Sequence, residues 1–101
     1  MTMDVFRYSF KTSVPIEEVE GSLLLAIMAA ESLHGESQVR LDAAHSLDRD
    51  KRACVIDGRT AVGQDINRLF VGFARREFGE GAFTVERVDA VSNATGKEVL
   101  S

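Results

Sequence analysis

The chain has 101 residues, 45% of them hydrophobic, which suffices for one buried core and points to a single domain. Its formal net charge of -4 lacks the basic excess that a sequence-independent grip on a phosphate backbone requires, so nucleic acid is not an expected partner. No apolar run approaches the roughly 20 residues of a membrane span, and the one cysteine, Cys54, has no internal disulfide partner; a cytoplasmic protein without membrane contact is expected.

From Val5 to Val14 the side chains alternate. Phe6, Tyr8, Phe10 and Val14 fall on one face and Arg7, Ser9, Lys11 and Ser13 on the other, the pattern of a half-buried strand. Turning the rings to solvent, as a base-stacking RNA surface would need, would bury Arg7 and Lys11 without partners, which costs more than the rings return. Pro15 suits the first turn of a helix, and Glu17 and Glu18 place negative charge at the positive end of its dipole. The helix is predicted to run to His34, with Gly35 supplying the stop.

The stretch "ESQVRLDAAHSLDRDKRACVIDG" reads as two strands: Val39, Leu41, Ala43 and Leu47 share one side of the first, and Ala53 to Ile56 form an apolar second. "DRDK" is the turn between them. Next comes "CVIDGRTAVGQD", residues 54 to 65, an apolar run followed by two glycines and a helical pattern. A P-loop would need Lys and then Ser or Thr after the second glycine, because the lysine neutralises phosphate charge and the hydroxyl holds magnesium. Gln64 and Asp65 stand there instead, so the stretch reads as a structural corner. Thr60 is the expected cap, Gly58 the turn residue and Gly63 a site of close approach.

Val62, Ile66, Leu69, Phe70 and Phe73 recur at helical spacing until Gly79. "AFTVERVDAV" makes a last strand, and the polar segment 92–101 is expected to be a frayed tail after a domain spanning residues 1–91. Strand, helix, strand, strand, helix, strand is the order of an α+β chain. It fits a ferredoxin-like split βαβ (βαββαβ) arrangement, a four-stranded antiparallel sheet with two helices on one face. That architecture hosts many functions and selects none.

Catalytic chemistry is not expected. His34 and His45 lie in no metal-ligand pattern, so neither a metal nor a cofactor is anticipated. His45 and Ser46 with Asp42 or Asp57 lack any motif that would assemble a triad, and Cys54 reads as a buried small hydrophobe. Two surfaces remain. The open sheet face is predicted to carry Arg7, Ser9, Lys11, Arg40, Asp42 and Glu86; Arg7, Lys11 and Arg40 there, with Arg59 at the glycine corner, are the candidate contacts for a small anionic ligand. In the first helix Leu23 to Ala30 form an unbroken apolar run, wider than one sheet-facing stripe requires. Leu25, Met28 and Ala29, with Val71 and Phe78 of the second helix, are therefore candidate interface residues, unless the two helices cover them mutually. The sequence reading is a small non-enzymatic interaction or regulatory domain that self-associates; the alternative is a binding domain or enzyme for a small anionic metabolite.

Overall fold

The computed structural model describes residues 4–89. Its elements run β1 (Asp4–Phe10), α1 (Ile16–His34), α2 (Glu36–Asp42), β2 (His45–Asp48), β3 (Ala53–Asp57), α3 (Ala61–Phe78), a short 3-10 turn (Glu80–Ala82) and β4 (Phe83–Asp89). The architecture is α+β, an open sheet of four strands in the order β2-β3-β1-β4 with every pairing antiparallel, accompanied by three helices.

The alternation of β1 sets the layers. Tyr8 and Phe10 are buried and Phe6 half-buried, while Arg7 and Ser9 are exposed. Cross-strand partners share a face, so Tyr8 lies beside Cys54 and Val85, and Arg7 between Val55 and Glu86. The core joins Tyr8, Phe10, Cys54, Ile56 and Phe83 of the sheet to Val19, Leu23, Ala26 and Ala30 of α1 and Val62, Ile66, Phe70 and Ala74 of α3. Rings order its centre: Phe70 meets Tyr8 edge-on, with centroids 4.8 Å apart, and Phe10 lies 5.5 Å from Phe83. The fully buried Tyr8 keeps its hydroxyl satisfied by donating to Asn67 Oδ1 at 2.5 Å.

Both long helices stop at glycines with positive φ, Gly35 and Gly79, each at 88°, a backbone region that side chains with a Cβ disfavour. The start of α3 is built as the sequence suggests. Thr60 Oγ1 accepts from Gly63 N at 3.0 Å, and a Cβ on Gly63 would stand 1.9 Å from the Asp57 carbonyl oxygen, so only glycine lets the first turn approach the end of β3.

Residues 36–42 are helical, not the first half of a strand. Val39 and Leu41 alternate as strand residues do, but Val39 is buried and Leu41 is 79% exposed, as on a one-sided helix. Two polar pairs at i,i+4 support the turn: Gln38 Nε2 donates to Asp42 Oδ2 at 2.7 Å and Arg40 faces Glu36 at 3.4 Å. Strand β2 is consequently only four residues long. Arg40 and Asp42 thereby leave the sheet, contrary to the expectation that placed them beside Arg7. Strand β1 also ends at Phe10, earlier than the alternation through Val14 suggests. Arg52, at φ 54°, donates to the carbonyls of Lys11 (3.0 Å) and Val14, and its own carbonyl accepts from Phe10 N. That clamp turns the chain away from the sheet while Val14 stays in the core. The segment 92–101, expected as a frayed tail, lies outside the described residues.

Candidate functional site

At the glycine corner the Arg59 side chain and the Gly63 and Gln64 backbone N–H groups are already occupied. Arg59 curls onto Asp57, giving Oδ1 both its backbone N–H (3.0 Å) and Nε (2.8 Å) and giving Oδ2 its Nη2 (2.5 Å). The Arg59 hydrogen bonds hold the Asp57 carboxyl below its usual range against the opposing effect of partial burial. Gly63 N is taken by Thr60 Oγ1, and Gln64 N by the Thr60 carbonyl at 2.9 Å. Asp65, just past the first turn, pairs with His34 Nε2 at 2.8 Å, which ties the end of α1 to the N-terminal part of α3. Every polar group named here is satisfied within the fold.

The remaining candidate cations stand apart. Arg7 is exposed at the middle of β1, opposite Glu86. Lys11 is exposed in the loop that follows, its backbone N–H bonded to the Ala82 carbonyl. Arg40 projects from α2, paired with Glu36. They occupy a strand, a loop and a helix, with Arg59 at the corner.

Nor does the sheet assemble a nucleophile with a base. His45 is in register with Ile56, so its side chain shares the core-facing side with Ile56, while Ser46 and Asp57, the next residues along, project from the opposite side. Cys54 is fully buried, and loss of water pushes its thiol up to about 12, well away from thiolate at neutral pH. Burial likewise raises Tyr8 above the ordinary phenol range. Among the described residues no group of three His, Cys, Asp or Glu side chains is placed to hold a metal ion, and no helix is long and apolar enough to cross a membrane.

The outward side of α1 differs from all of these. Its inner stripe, Val19, Leu23, Ala26 and Ala30, is buried against the core. On the other side Leu24, Leu25 and Met28 are 54%, 57% and 60% exposed, flanked by exposed Gly21 and Ser32. Three- and four-residue steps join these positions into one stripe along the helix. Beside it runs a groove of about 440 Å³ lined by Glu17, Glu18, Gly21, Ser22, Leu25 and Glu77. Leu33 in the last turn of α1 and Leu41 in α2, both exposed, add apolar surface at the α1–α2 corner.

Of the five interface candidates, Leu25 and Met28 lie at the centre of this stripe and Ala29 is half-buried at its edge. Val71 and Phe78 pack against the core, Phe78 with its ring edge-on to Phe10 at 6.1 Å. Sequence reasoning missed Leu24. The signal was available, because Leu24 lies three residues after Gly21 and four before Met28. It also missed Arg52, whose partners are 38 and 41 residues away and leave no local trace. Comparison with protein-family models, curated proteins and solved structures returns no match.

Proposed function

We propose that the chain is a small non-enzymatic interaction or regulatory domain that works in the cytoplasm as a homo-oligomer, with the outward side of α1 as its contact surface. One observation carries the reading. Leu24, Leu25 and Met28 stand more than half exposed in a continuous stripe, on a helix whose opposite side already satisfies the core. Single exposed leucines are ordinary, whereas a contiguous apolar stripe ordinarily marks a contact. Covering these side chains contributes on the order of 1 kcal/mol each, and a symmetric contact counts each of them twice. The lone buried thiol suits a reducing compartment.

We read the scaffold as the ferredoxin-like split βαβ pattern, with α2 inserted in the first crossover. The strand order supports this, since β1 and β2 flank β3, and β3 and β4 flank β1, as two interlocked crossovers require. Because that scaffold serves many functions, the α1 surface rather than the fold supports the proposed role. Sedimentation velocity over a micromolar to millimolar series tests it: the weight-average mass should climb from one chain toward two. A strict monomer at the highest concentration removes the reading.

A further inference from the structure

We infer that the second copy packs on α1 antiparallel, about a two-fold axis crossing the helix between Ala26 and Ile27. This deepens the self-association reading and rests on it. The stripe itself selects the geometry, because its outward positions run Gly21, Leu24, Leu25, Met28, Ser32, small at both ends and large in the middle. Reversed about that midpoint, its ends and centre fall onto themselves: Leu25 meets the partner's Met28 and Gly21 meets the partner's Ser32, while Leu24 lies over the half-buried Ala29 position at the stripe's edge. Large side chains fill the centre while small ones let the backbones converge at both ends, which is the self-complementarity a two-fold contact needs. The groove along Gly21, Ser22 and Leu25 lies beneath the positions where the partner's Met28 and Ser32 arrive, a hollow beside the projecting Leu25.

A parallel pair is worse on each count. It would set Gly21 against Gly21, leaving an unfilled gap, and would place Glu17 and Glu18 against their own copies. It would also align the two helix dipoles. The antiparallel pair opposes the dipoles and carries the acidic first turn of one copy away from its own counterpart to the α1–α2 corner of the other, where Arg40, paired to Glu36 at 3.4 Å, is 78% exposed.

Cysteine scanning at the ends of the stripe distinguishes the two geometries. Gly21→Cys and Ser32→Cys lie eleven residues apart, about 16 Å along a helix at 1.5 Å per residue, beyond the reach of a disulfide. Both positions are exposed, a Cβ on Gly21 meets nothing within 4 Å, and the buried Cys54 does not compete. The two variants, purified separately, checked for native circular dichroism, mixed and oxidised, should give a Gly21→Cys to Ser32→Cys disulfide at least tenfold faster than either variant links to itself. Faster self-linking of either variant overturns the antiparallel geometry. So does a dimer by sedimentation that forms neither product, and that result leaves self-association standing. A monomer by sedimentation, with no cross-link, overturns both.

Discussion

Helices α1 and α3 face the same core and differ on their backs. The inner stripe of α3, Val62, Ile66, Phe70 and Ala74, recurs at four-residue steps, and that of α1, Val19, Leu23, Ala26 and Ala30, at steps of three and four. Outward, α3 presents Arg68, Gly72, Arg75 and Arg76, with Arg68 paired to Asp65 at 3.6 Å and Arg75 to Glu80 at 3.4 Å. That is the back of a helix that ends at water. At the equivalent angle α1 presents Leu24, Leu25 and Met28. Since α3 reaches full burial of its inner side without an apolar back, covering the sheet does not explain the back of α1. The contrast separates residues that serve the fold from residues that serve an encounter.

The contrast can be broken first at the shared core. Phe70, fully buried and ringed by Tyr8 and Phe10, should cost about 3–5 kcal/mol on substitution by Ala, read as a lowered urea midpoint at fixed protein concentration. A loss below 1 kcal/mol would mean that the inner stripe of α3 does not anchor the sheet as described. A smaller effect is expected at the cap. Thr60→Ala releases Gly63 N and should cost about 1 kcal/mol, with the same shift at every protein concentration because the cap lies on the helix with the polar back.

The smallest effect is electrostatic. The folded Asp57 carboxyl titrates below its unfolded range, so its contribution is present above that unfolded range and fades as pH falls through the depressed folded one. Arg59 is 41% exposed and the pair is screened, so well under about 1 kcal/mol is at stake. Asp57→Asn should flatten the acid limb of the stability profile slightly and leave the neutral region nearly unchanged; a steep neutral loss would assign Asp57 a larger part than its geometry supports.

How far these regions were legible depends on the range of the interactions that make them. The alternation of β1, the glycine stops at Gly35 and Gly79, and the Thr60 cap rest on neighbours within a few residues, and the sequence displays them. Segment 36–42 was misread because Val39 and Leu41 satisfy a period of two. The Glu36–Arg40 and Gln38–Asp42 spacings, also local, were the better guide. Arg52 clamping the loop after β1, and Tyr8 reaching Asn67 across 59 residues, are set by tertiary approach alone. The candidate site divides in the same way. Helical spacing placed Leu25 and Met28 outward, but it carried no information that Phe10 would cover Phe78, because a helical wheel contains no neighbouring strand.

The central claim is that the back of α1, and not the back of α3, is a contact surface. Sedimentation of Leu25→Glu beside Arg68→Ala, both at exposed positions, measures it most directly. The account expects Leu25→Glu to remain folded and lose association by at least tenfold, while Arg68→Ala sediments as the unmodified chain does. Equal association in all three proteins, or a loss confined to Arg68→Ala, would contradict it.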